Sequence, residues 1–297
     1  MSPLTTATPA HPRTHEGEHV TVDIESPRRD AVADYLLDGH FNTAVDRIFA
    51  DRLLAEHPQL PRVARSVATW DRHAAGTMLD RGLRHFLVLG TGGLPIWAGS
   101  STLADLHEAG ARIVVIEHDP VTQGLHDRID RGAAAGRSHV LCLPAHRHHD
   151  LATTPTVTDL LADGAPLGIL ATGLLRPAAI GLTAILALLD STPCGSLAAI
   201  TQLTAHGTTD PDDTGTSVLA ARFAEAGIPL AIEDRLAADQ LLGDVPTHSA
   251  APVTLDLDAG TSVLCTALRG RHLCTATAEL RPGEEQTLDI TGHGGRR

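Results

Sequence analysis

From Ser26-Pro27 onward, apolar residues recur at helical spacing in three successive stretches: DAVADYLLDG, NTAVDRIFADRLLAEHP and LPRVARSVATWDRHAAGTMLDRG. This pattern predicts two or three amphipathic helices before any strand. An alternation of short apolar runs and helical segments follows. It reads strand HFLVLG, loop TGGLP, helix 101–109, strand ARIVVIEHDP, helix 121–135 and strand SHVLCL. A helix over 156–163, a buried strand PLGILATGL, a helix over 178–190 and a strand near SLAAITQL continue it. Such alternation with short connections predicts an α/β protein with a doubly wound, mostly parallel sheet. In such a sheet, ligands bind beyond the carboxyl ends of the strands.

The later chain reads differently. TTDPDDTGT (208–216) is a polar loop, and SVLAARFAEAGI resumes a helix. After 252, VTLDLD and SVLCTAL-RG-RHLCTATAEL alternate with period two, predicting a β-hairpin that turns at Arg269-Gly270 and continues the sheet. The organisation expected is a disordered tail (1–20), a helical N-terminal cover (21–80), a Rossmann-like domain (81–250), a β appendage (251–281) and a loose tail (282–297).

Composition narrows the chemistry. Acidic residues exceed basic ones by 13, so the charge footprint of a nucleic-acid binder is missing. All 23 basic residues are Arg, which excludes a phosphate-binding lysine, a Schiff-base lysine and a lysine general base. Cys142, Cys194, Cys265 and Cys274 form no CxxC pair, so no metal site is expected. Cys265 and Cys274 would face each other across the expected hairpin, but four reduced thiols are the reading preferred. No apolar run is long enough for a membrane span and the first residues carry no signal-peptide pattern, so a cytoplasmic protein is expected.

The glycine loop is the first candidate site. Gly90, Thr91, Gly92 and Gly93 follow a strand and precede a helix, leaving backbone N–H groups open to a ligand. The next strand ends in Glu117-His118-Asp119-Pro120, and an acid there suits a ribose diol.

Three segments carry a family resemblance: DYLLDGHFNTAVDR (34–47), RHFLVLGTGGLP (84–95) and RIVVIEHDPV (112–121). They resemble the DYLLGGKDNFAADR, QFLDIGTGLPT and RVVYVDNDPV motifs of an actinobacterial S-adenosyl methyltransferase family once catalogued as a domain of unknown function. The resemblance runs from about Ser26 to about Asp244. It implies a class I methyltransferase-like fold with S-adenosylmethionine as cofactor, and it puts Gly90, Thr91, Gly92, Gly93, Glu117 and Asp119 at the cofactor. It also puts the cover motif near the pocket, making Asp34, Tyr35, His40 and Asp46 the pool for a general acid or base.

Departures from the family motifs are specific. The family's acid in the first strand is Val88, its GGK lysine is replaced at His40, its adenine-reading Asp falls at or near His146, and Arg176 follows Leu174-Leu175. Val88 removes a negative group, while His146, His148 and Arg176, with Arg65 of the cover, would add positive charge. Arg in particular offers bidentate geometry to an anion. Three functions therefore compete. The preferred one is a methyltransferase-fold enzyme of specialised metabolism turned away from methyl transfer, acting by elimination or cyclisation on an anionic small molecule without S-adenosylmethionine. The alternatives are an S-adenosylmethionine-dependent small-molecule methyltransferase and a non-catalytic scaffold with a protein partner or a second copy. Neither nucleic acid nor membrane is an expected partner.

Overall fold

The computed structural model describes residues 25–90, 102–124, 138–143, 151, 153–178, 180–205, 218–243, 253–256 and 261–269. Three helices come first: α1 (Arg29–Leu36), α2 (Ala44–Glu56) and α3 (Leu60–Asp80). The alternating part contains β1 (His85–Leu89), α4 (Thr102–Glu108), β2 (Arg112–Glu117), β3 (Ser138–Cys142), α5 (Pro155–Ala162), β4 (Leu167–Ala171), α6 (Leu182–Asp190), β5 (Leu197–Ala205) and α7 (Val218–Glu225). It closes with β6 (Ile232–Asp234), α8 (Arg235–Gly243), β7 (Val253–Asp256) and β8 (Thr261–Arg269).

The sheet runs β3-β2-β1-β4-β5-β8-β7, with β6 also paired to β5. Strands β1 to β6 run parallel, and β8 is antiparallel to both β5 and β7. Because β8 pairs along all of β5, β4 and β6 share its other edge, at residues 197–200 and 203–205. The expected strands at VTLDLD and SVLCTAL thus lie in the central sheet, while the second half of the hairpin turning at Arg269-Gly270 lies outside the described residues.

Strand alternation divides the core cleanly. Leu87, Leu89, Val114, Ile116, Ile169 and Ala198 face α5, α6 and α8. Phe86, Val88, Ile113, Val115, Leu170 and Ala199 face α3 and α4, against Ala74, Met78, Leu103 and Leu106. A third cluster joins α1, α2 and the first half of α3 to Leu174, Leu175, Leu203 and Phe223, so the cover is packed onto the carboxyl edge of the sheet. Burial of such side chains stabilises by about 1.5–3 kcal/mol each, which fixes the cover without any covalent tie.

Helix α6 begins at Leu182 rather than near 178. The intervening backbone is committed elsewhere: Ala178 N–H donates to Pro229 O and Ile180 N–H to Pro177 O. Cys142 is a free thiol, whereas Cys194 is disulfide-bonded, which corrects the expectation of four reduced cysteines at that position. Among the described residues no helix is long and apolar enough to cross a membrane, and no group of His, Cys, Asp and Glu could hold a metal ion.

Candidate functional site

The strand order reverses between β1 and β4, so their carboxyl ends open the crevice in which ligands of such sheets bind. β1 ends in Gly90, whose φ of 76° lies in the left-handed region that glycine enters without strain. Its N–H donates to Ile116 O at 2.8 Å, which draws the turn against β2. A Cβ at Gly90 would meet the His118 ring at 4.0 Å, so the absent side chain leaves room between turn and ring. Thr91, Gly92, Gly93, His146 and His148 lie outside the described residues.

At the end of β2, Glu117 is fully buried. By alternation it points to the same face as Ile113 and Val115. Asp119 accepts three hydrogen bonds. Its Oδ1 accepts from Val121 N–H at 3.0 Å, and its Oδ2 accepts from the Thr122 hydroxyl at 2.9 Å and from Arg28 at 3.0 Å. It stands directly before the helical turn at 120–124. Asp30, at the start of α1, stands over this edge. Burial first and the Glu117 charge second push its carboxyl up to about 7. The same two acids, Asp119 ahead of Glu117, reinforce burial at Cys142 and push its thiol up to about 11. Negative charge therefore collects where β2 and β3 end.

Three side chains of the cover motif, Asp34, Asp46 and Tyr35, have hydrogen-bond partners within the cover. Asp34 Oδ2 accepts from Phe41 N–H at 2.7 Å and from the Asn42 amide at 2.9 Å, closing the loop between α1 and α2. Gly39 crosses that carboxylate so closely that a Cβ would lie 2.0 Å from Asp34 Oδ1. Burial raises the Asp34 carboxyl. Asp46 forms a capping box with Thr43 at the start of α2. It also accepts from Arg28 N–H at 2.8 Å and from its guanidinium at 3.3 Å. Tyr35 donates to Asp51 at 2.9 Å on the outer side, and hydrogen bonding to that carboxylate raises its pKa. His40 is exposed, and Arg65 makes an exposed pair with Asp38 at 3.2 Å.

Arg176 is sealed in the core at 3% exposure. It donates to the Gln202 side chain, whose amide in turn donates to Leu203 O and Ala231 O, both at 2.9 Å. Burial pushes the guanidinium down to about 10. Its position ties β4 and β5 to the strand-like segment before β6.

Between cover and sheet lies a narrow, mostly apolar cleft. Ala33 and Leu37 of the α1 end, Ala64, Val67 and Ala68 of α3, and Thr172, Gly173 and Leu174 after β4 line it. Sequence reasoning missed three polar residues around this region: Arg28, Asp30 and Asp71. The last had a legible signal. The inward stripe of α3 is Val63, Ala64, Val67, Asp71, Ala74, Ala75 and Met78, so an acid stands at a helical position reserved for apolar residues.

Sheet order, glycine turn and buried acid after the second strand define a class I methyltransferase-type α/β fold. The chain belongs to the S-adenosyl methyltransferase family, whose model matches residues 15–245. It is similar to the crystal structure of a candidate methyltransferase from Thermobifida fusca, at 21% identity and TM-score 0.66, over 84% of this chain and 97% of that one. A DUF574 family protein from Streptomyces avermitilis gives 18% identity and TM-score 0.65, over 84% and 100%. No curated protein matches the sequence.

Proposed function

We propose that the protein transfers a methyl group from S-adenosylmethionine to a small acceptor with an apolar body. The observation that carries this reading is Glu117, a fully buried carboxylate at the end of β2 beside the open Gly90 turn. The two together suit a nucleoside: backbone at the turn for close approach, and an acid for the ribose hydroxyls. Bound there, S-adenosylmethionine supplies an electrophilic methyl group.

The cleft between α1, α3 and Gly173 is the candidate seat of the acceptor. Among the described residues Thr172 is the one polar side chain lining it, and its hydroxyl is already given to Asp71. Among the described residues no lining residue there is equipped to take a proton, so the acceptor is expected to bring its own nucleophile, with catalysis by proximity and orientation. Val88 lies in the cluster beneath α3 and α4, with Leu170 and Leu103. The non-methylating reading preferred from sequence rested on His146, His148 and Arg176 as anion holders; His146 and His148 lie outside the described residues, and Arg176 is buried and is not among the described residues that line this cleft. Incubation with methyl-labelled S-adenosylmethionine and a panel of apolar amines, thiols and phenols tests the proposal. Label in a product, lost in Glu117→Ala, is expected. Label in none of them, from protein shown to bind the cofactor, would remove this acceptor class.

A further inference from the structure

We propose that Asp71 is a positioning residue that replaces, from α3, the carboxylate missing from β1 at Val88, and that it supports the amino-acid end of the bound cofactor. The identity of that ligand rests on the function proposed above; the exchange of position does not.

The register places the two sites on one face. Val88 pairs with Leu170 of β4, and both lie in the cluster beneath α3 and α4. Thr172 is two residues beyond Leu170, hence on the same face, one pleat nearer the carboxyl edge. Asp71 comes down from α3 to meet it there, buried to 2% exposure. One carboxylate oxygen accepts from the Thr172 hydroxyl and the other from the Thr102 hydroxyl. Thr102 opens α4, and its neighbour Leu103 packs in the cluster that holds Val88. One acid thus ties the start of α4, after the glycine segment, to the end of β4, where the candidate acceptor cleft begins.

A merely structural account fits poorly. A leucine would continue the α3 stripe without the cost of burying a carboxylate, and no cation contacts this one among the described residues. Burial raises its pKa, and the two hydroxyls oppose that shift. Each carboxylate oxygen has a second lone pair beyond the one a threonine uses. The chemistry left over is that of an ammonium partner, either directly or through the hydroxyls it orients. In S-adenosylmethionine, the amino-acid end carries such a group.

Asp71→Leu, Val88→Asp and the double exchange test this. The readouts are thermal unfolding of the free proteins and affinity for two ligands, S-adenosylhomocysteine and 5′-methylthioadenosine, which lacks the amino-acid end. Asp71→Leu is expected to lose at least tenfold for S-adenosylhomocysteine and less than threefold for methylthioadenosine. The double exchange is expected to recover most of the loss and to unfold above Val88→Asp, which buries two acids together. Equal losses for both ligands, or none, would overturn the proposal. If Asp71→Leu fails to fold, Asp71→Asn carries the same ligand comparison. If the wild-type protein binds neither ligand, the methyltransferase reading falls. Unfolding then decides the exchange: a double variant near the wild-type midpoint upholds it, and one below both single variants overturns it.

Discussion

Arg28 donates one guanidinium nitrogen to Asp119 at 3.0 Å while holding Asp46 with the other. One side chain just ahead of α1 therefore fastens the cover to the loop that follows β2. Asp46 is fully buried, so Arg28→Ala leaves a buried acid that keeps its capping bonds and the backbone N–H of residue 28 but loses this guanidinium. Arg28→Ala is expected to lower stability by about 2–4 kcal/mol, near the loss for a broken buried pair. Denaturant unfolding measures it. A change below about 0.5 kcal/mol would place the pair among exposed ion pairs of little worth.

Asp34 separates architecture from catalysis. Asp34→Asn keeps an oxygen for Phe41 N–H and the Asn42 amide, so methyl transfer is expected to stay within about threefold, under 1 kcal/mol of barrier. Asp34→Ala strands both donors and should cost about 2–3 kcal/mol of stability. An Asn variant that is folded but inactive would restore Asp34 as an acid or base.

Gly39→Ala tests the same loop from the other side. Its Cβ would fall 2.0 Å from Asp34 Oδ1, so one of the two must move. A loss of about 2–4 kcal/mol is expected, as for other overpacked sites, read as a fall in the unfolding midpoint. An unchanged midpoint would mean that the loop closes differently.

Asp30 gives a pH signature. Its carboxyl, raised to about 7 in the folded protein, holds its proton over a range where the unfolded chain has released it. Its contribution therefore falls as pH rises from about 4 to about 7 and stays low above that. Asp30→Asn should raise the unfolding midpoint at pH 8 and lose that advantage below pH 4. Thermal scans across this range check it; a pH-independent difference would contradict the shift.

Much of the fold was legible in sequence because its signals are local. The apolar runs at 85–89, 112–117, 138–142 and 167–171 became β1 to β4. Parallel strands in such a sheet are continuous apolar segments, and SLAAITQL became β5 in the same way. β6 and α8 escaped notice because a three-residue strand leading directly into an amphipathic helix has no period of its own. Gly90 and Glu117 stand where sequence put them, as a turn after β1 and an acid at the end of β2. For the acids of the cover motif sequence leaves the role open, because capping and loop closure need the same residue types as proton transfer, and sequence does not show what a carboxylate accepts. Arg28, Asp30 and Asp71 act across 18 to 101 residues of chain, a separation that only the packed structure closes.

The most direct test of the account is calorimetric titration of S-adenosylhomocysteine into the wild-type protein and into Glu117→Gln. Micromolar binding by the first, weakened at least tenfold in the second at an unchanged unfolding midpoint, is the result predicted. No binding by folded wild-type protein up to millimolar ligand would contradict it.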